Sequence, residues 1–272
     1  MAANIAVIQG SSKGIGLSFA RYILKNTDLK VVATSQNPKH AREAILANLK
    51  SADDRLTTVE LDVRREETIE KAAGLVKDRF GRQLRLLINV SGVLLPEKSI
   101  QQINVEDMKR TFEINTFGHL LTYKHFAPLI PPKSSKNQDN QSDQDPAKGL
   151  IKPNVHVLAS MSARVGSIGD NTLGGWYSYR ASKSALNSII VTLQRELSNG
   201  RSTAPAVTVA LHPGTVAGTN LSKDFVSKDK AGSKEGVHDA EVAVEQLCGV
   251  ISRLGEGDGG QFLDYKGKKI VW

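Results

Sequence analysis

The sequence predicts an α/β protein: one domain over residues 1–272, built on a doubly wound parallel sheet of seven strands with helices on both faces. Two observations carry this expectation. Short runs rich in β-branched residues alternate with longer helical patterns almost to the end of the chain, the signature of βαβ units. A chain of 272 residues also has enough material for one large core.

In chain order the strands are expected at IAVIQ (5–9), KVVATS (30–35), LTTVEL (56–61), LRLLIN (84–89), VHVLAS (155–160), AVTVAL (206–211) and GQFLDY (260–265). Helical patterns fill the intervals. The longest run from 105 to 130 and from 178 to 198, and the first stops at Pro131 and Pro132 because proline lacks the N–H a helix needs. Residues 131–154 are rich in Asn, Gln, Asp and Ser and predict a mobile polar surface insertion. Residues 217–239 follow the sixth strand at the carboxyl edge of the sheet, where open α/β folds bind ligands, and predict a substrate lid with Leu221, Phe225 and Val226 as its apolar wall.

Composition narrows the function. The net charge is +8 and the pI about 9.5, but the basic residues are scattered, aromatics make up only 5% and none interleave with basic runs, so a nucleic-acid partner is not expected. The charge suits a polyanionic cofactor instead. No apolar run reaches the ~18 residues of a membrane span, and the start lacks a secretory leader pattern, so a cytoplasmic location is expected. The single cysteine, Cys248, lies in an apolar helical pattern and reads as a buried core thiol. No metal site is expected.

Between the first strand and the first helix stand Gly10, Ser12, Lys13, Gly14, Ile15 and Gly16. Glycines at such a junction permit a tight turn, close approach of the backbone to a pyrophosphate, and close helix-to-strand packing. Gly10 to Gly14 also match the G-x-S-x-G nucleophile elbow of serine hydrolases with Ser12 as nucleophile, but the second oxyanion donor of that motif needs an earlier loop and only nine residues precede Gly10.

The segment GGWYSYRASKSALN (174–187) holds two tyrosines, and only Tyr179 lies four residues before a lysine, Lys183. On a helix these two share a face, while Tyr177 points elsewhere. A phenol with a pKa near 10 is a poor proton shuttle at neutral pH; a lysine cation one turn away is expected to lower it, so that Tyr179 can serve as general acid or base without a histidine.

Together, GSSKGIG (10–16), LDV (61–63), NVSG (89–92), FEINTFG (112–118), YRASK (179–183) and HPGTV (212–216) resemble the short-chain dehydrogenase/reductase family over the whole chain. The 161–187 segment and the terminal FLDYKGKKIVW resemble its C-factor-like and sniffer-like carbonyl reductases. The resemblance implies a Rossmann-type fold, a nicotinamide cofactor, hydride transfer between its C4 and a carbonyl or secondary alcohol, and a homodimer or homotetramer. The glycine loop would hold the diphosphate, Asp62 the adenine with Val63 beside it, and Asn89, Ser91 and Gly92 the nicotinamide side. Lys183 would also hold the nicotinamide ribose, and Asn115 would anchor a water in a proton relay. Pro213, Gly214, Thr215, Val216 and Thr219 follow the sixth strand, with Thr219 preferred over Thr215 for contact with the carboxamide or diphosphate.

The chain departs from the family at the serine. Alignment through VGSI puts Ala163 at the usual position, leaving Ser160, Ser162 and Ser167 as candidates, of which Ser162 is nearest and is taken as the donor to the substrate oxygen. NADP(H) is preferred over NAD(H), because Ser35 stands where an NAD-selective site carries an acid. Lys13 can approach the 2′-phosphate, and the resemblance links a basic residue there with NADP(H). The competing class, a nucleotide-binding regulator without catalysis, would keep the glycines but have no need of Tyr179 and Lys183.

Overall fold

The computed structural model describes residues 4–133, 145–200, 203–219, 221–222 and 226–272. Seven parallel strands form the sheet in the order β3-β2-β1-β4-β5-β6-β9. These are β1 (Ile5–Gln9), β2 (Lys30–Ser35), β3 (Leu56–Glu60), β4 (Leu84–Asn89), β5 (His156–Met161), β6 (Ala206–His212) and β9 (Gln261–Asp264). Each falls within a residue or two of its expected segment. Alternate residues feed two cores, as period-2 geometry requires. Ala6 and Ile8 of β1 pack with Phe19, Ile23 and Leu247 on one face, and Ile5 and Val7 pack with Ile69, Phe126 and Ile190 on the other.

Helices α1 (Gly14–Asn26), α2 (Pro38–Leu46), α3 (Glu66–Phe80), α6 (Tyr177–Asn199) and α7 (Ala240–Ile251) lie where the helical patterns predict. The sheet order reverses between β1 and β4, so their carboxyl ends open a crevice at the topological switch point. Cys248 is buried in the core, which pushes its thiol pKa up.

Two expectations are corrected. The helix expected over 105–130 is α4 (Val105–Phe112) and α5 (Gly118–Phe126), joined by a π-helical turn over Glu113–Phe117. Residues 134–144 of the polar insertion lie outside the described residues, and its last part is only partly at the surface: Lys148, Gly149, Lys152, Pro153 and Asn154 are exposed. Ala147, Leu150 and Ile151 are buried in the core beside α1 and α7, and Pro146 O accepts from Asp28 N at 2.8 Å. A second, two-stranded sheet pairs β7 (Thr215–Val216), just before the 217–239 segment, with β8 (Val237–His238) at its end.

Candidate active site

The glycine loop is built for close approach. Gly10 and Gly14 have φ of 85° and 54°, in the left-handed region that favours glycine, and a Cβ on Gly16 would stand 2.0 Å from Gly10 O. Ser11 anchors the loop to β2 through its amide and hydroxyl, both on Thr34 O. No side chain caps the N-terminus of α1, so its first N–H groups and the positive end of the helix dipole face the crevice. A diphosphate fits this cradle. Across it, Thr219 Cγ2 is 3.7 Å from the Cβ position of Gly14, whereas Thr215 is exposed and lines a separate cavity with Arg164, His212 and Asp264. Of the two threonines, Thr219 is the one at the glycine loop. Gly214, with φ 75°, is packed so tightly that a Cβ would meet Gly236 O at 2.8 Å; Pro213 and Val216 are buried beside it.

At the end of β2, Ser35 is buried and its hydroxyl accepts from Asn37 N at 3.0 Å. Lys13 is exposed. Asp62 receives Arg64 in a fork, Nη2 to Oδ2 at 2.9 Å and Nε to Oδ1 at 3.2 Å, and this guanidinium holds its carboxyl below the usual range, with Gln36 adding a further bond. Val63 packs under Gly118, where a Cβ would meet it at 2.6 Å. Arg64 is a neighbour that the sequence reading missed.

On α6, Tyr179 and Lys183 are buried on one face, and Lys183 Nζ lies 6.0 Å from the centroid of the Tyr179 ring. The Trp176 ring meets Tyr179 edge-on at 6.2 Å between centroids, while Tyr177 is 41% exposed, so the two tyrosines separate as the helical spacing predicts. Lys183 donates to Met161 O at 2.8 Å, which ties α6 to the end of β5. Burial pulls Lys183 down to about 7. The expected lowering of the Tyr179 pKa by Lys183 is not met: burial pushes the phenol up, and the ammonium is aimed at the Met161 carbonyl.

Gly92 faces Lys183. Its Cβ position is 3.8 Å from Lys183 Nζ, 3.5 Å from Asn115 Oδ1 and 3.7 Å from Leu221 Cδ1 of the lid; Phe225 lies outside the described residues. Asn115 sits in the π turn, a feature frequent at functional sites, and grips Val93 in both directions: Val93 N donates to Oδ1 at 2.8 Å and Nδ2 donates to Val93 O at 2.9 Å. Ser91 is held in the same way by Gln9, whose Oε1 accepts from Ser91 N and whose Nε2 donates to Ser91 Oγ. Asn89 is fully buried at the end of β4, beside the Tyr123 hydroxyl.

The serines take other partners. Ser162 donates to Asn187 Oδ1 at 2.6 Å, Ser160 bonds His119 and Tyr123, and Ser167 accepts from Asp170 N at 3.0 Å. The Ser162 hydroxyl proton is thus committed within the protein. His119 was missed in the sequence, although it stands four residues after Asn115 on the same helical face.

The sequence pattern of the short chain dehydrogenases matches residues 4–138. With the sheet order, the glycine cradle and the Tyr179–Lys183 pair in place, this decides the family. The chain belongs to the short-chain dehydrogenase/reductase family. It is an oxidoreductase.

Among relatives of this short-chain dehydrogenase/reductase, the 1-hydroxy-2-glutathionyl-2-methyl-3-butene dehydrogenase of Rhodococcus sp. (strain AD45) is 32% identical over 165 residues, 61% of this chain and 60% of that relative. The match spans less than two thirds of that enzyme's length. Two solved structures are similar over the entire chain. The NADPH-bound carbonyl reductase from chicken fatty liver superposes with a TM-score of 0.79 at 28% identity, covering 100% of both chains. The carbonyl reductase Sniffer of D. melanogaster does so with a TM-score of 0.77 at 26% identity, again covering 100% of both. No helix among the described residues is long and apolar enough to cross a membrane.

Proposed function

We propose that this protein is an NADP(H)-dependent carbonyl reductase or alcohol dehydrogenase in which Tyr179 exchanges the proton. The observation that carries the reading is that Lys183, buried beside Tyr179 on α6, stands with Asn115 at Gly92, one residue from Ser91, which meets Gly10 of the glycine cradle. When bound, the nicotinamide supplies or accepts the hydride. Gly10, Gly14, Gly16 and Thr219 would hold the diphosphate, Asp62 and Val63 the adenine, and Ser91, Gly92 and Lys183 the nicotinamide riboside. A substrate carbonyl placed against Tyr179 would take the phenolic proton as its oxygen becomes an alkoxide, and burial keeps that proton on the phenol until then. Two features of the crevice support NADP(H): the end of β2 carries Ser35 and Gln36 without an acid, and Lys13 is free to meet a 2′-phosphate.

The lid is proposed to close over a partly apolar substrate, since Leu221 already reaches the position above Gly92. Exposed Phe117 of the π turn and Leu120 of α5 suit the pairing of two chains along this face, and the enzyme is taken to work in the cytoplasm. The reading is tested by offering a panel of aldehydes and ketones with NADPH and with NADH and following absorbance at 340 nm. NADPH oxidation that requires a carbonyl is the expected result; a protein that binds neither cofactor contradicts it.

A further inference from the structure

Beneath the Ser91–Val93 segment lies a fully buried histidine. His119, the second residue of α5, places Nε2 2.8 Å from Ser91 O and Nδ1 2.9 Å from Ser160 Oγ, which in turn lies 2.7 Å from the Tyr123 hydroxyl. Ser160 is the register partner of Asn89, so the imidazole wedges between the carboxyl ends of β4 and β5.

The direction of every proton in this chain follows from its ends. A carbonyl oxygen only accepts, so Nε2 carries the proton and donates to Ser91 O. Burial, with the Lys183 charge nearby, keeps the ring neutral down to a pKa of about 3, so Nδ1 is an acceptor. Ser160 must then donate to Nδ1 and accept from Tyr123. One tautomer and one ring orientation satisfy all four groups.

The segment above is held at each of its polar ends: Ser91 N and Oγ by Gln9, Val93 N and O by Asn115, and Ser91 O by His119. What remains between them is Gly92, which faces Lys183 and the lid. We propose that His119 is a positioning residue that sets the Ser91–Gly92 peptide for the nicotinamide riboside, acting through its Nε2–H bond to the Ser91 carbonyl. This rests on the cofactor reading given above.

The two amide replacements of histidine separate the two bonds. The amide of His119→Gln reaches the place of Nε2 and can still donate to Ser91 O, whereas that of His119→Asn reaches only the place of Nδ1 and can still accept from Ser160. Hydrogen exchange of the peptide covering residues 90–95, measured without cofactor, should quicken by about 10-fold in His119→Asn, the worth of roughly one net hydrogen bond. It should recover most of its protection in His119→Gln. NADPH affinity from fluorescence titration should follow the same order. Tyr123→Phe removes the far end of the chain and should leave exchange at 90–95 near that of the unmodified protein.

Equal exchange in the Asn and Gln variants, or losses that track melting temperature and not the Nε2 donor, would overturn the proposal. Failure of the unmodified protein to bind NADPH would instead overturn the cofactor reading, and the exchange experiment shows which of the two has failed.

Discussion

Ser162 gives its hydroxyl proton to Asn187 Oδ1 at 2.6 Å, and Asn187 lies one helical turn beyond Lys183 on the same face of α6. The end of β5 is therefore stitched to α6 twice in succession, by the Met161 carbonyl to Lys183 and by Ser162 to Asn187. Ser162 supports the face that carries Tyr179, and its proton is engaged there by Asn187. Ser162→Ala should thus lower stability by about 1–2 kcal/mol, because Asn187 Oδ1 loses a buried donor, while turnover stays within roughly fivefold. Thermal melts and steady-state rates measured together check this. A loss of about 100-fold in turnover at unchanged melting temperature would restore Ser162 as the oxyanion donor.

The family resemblance implies that Ala163 stands at the position of the family's usual serine. If the substrate oxygen is held there by Tyr179 alone, Ala163→Ser should supply a second donor and raise turnover by roughly 10-fold, a fraction of what such donors contribute in established oxyanion sites. Initial rates on the best carbonyl of the panel measure it. Unchanged or lower turnover at unchanged stability would mean that another group already fills the place.

Lys183 is pulled from 10.5 to about 7 by burial, and this has a defined effect on stability. Between about pH 7 and 10.5 the unfolded chain binds the lysine proton and the folded chain does not, so stability attributable to this group rises with pH across that window. Below pH 7 both states are protonated and the full cost of burying the charge is present. Lys183→Met should therefore raise the melting temperature most near pH 6, with the advantage shrinking toward pH 10, while abolishing turnover. A stabilisation that is the same at both pH values would contradict the buried-cation account.

Ser35 and Lys13 are the two positions proposed to govern cofactor choice. Ser35→Asp should weaken NADPH by roughly 10-fold or more relative to NADH, since a carboxylate there repels a 2′-phosphate and accepts from a ribose hydroxyl. Lys13→Ala should weaken NADPH by about fivefold or less, the scale of one exposed ion pair, with little effect on NADH. Dissociation constants at one ionic strength decide the matter. Equal affinity of the unmodified protein for both cofactors would refute the preference.

Much of this molecule was legible because its signals are local. The strands announce themselves as β-branched runs, and Tyr179 with Lys183 follows from helical spacing alone. The π turn was not legible: EINTF at 113–117 has nothing in its composition to distinguish it from the helix on either side, and the extra residue shows only when Asn115 is seen gripping Val93. His119 read as one histidine in a helical pattern, though its i, i+4 relation to Asn115 marked the face. The partner of Ser162 lies 25 residues away on another element, a separation that spacing rules do not span. Ala147, Leu150 and Ile151 were obscured by the polar residues before them, and strands as short as β7 and β8 carry too few residues for alternation to register.

The central claim is that Tyr179 moves the proton, and the most direct measurement compares two single-atom deletions. Tyr179→Phe and Tyr177→Phe each lose one hydroxyl from neighbouring positions of α6, one buried beside Lys183 and the other 41% exposed. With NADPH binding first shown to be retained in both, carbonyl-dependent NADPH oxidation should fall by at least about 100-fold in Tyr179→Phe and stay near the unmodified rate in Tyr177→Phe. Loss of activity in the opposite order, or full activity in Tyr179→Phe, would contradict the account.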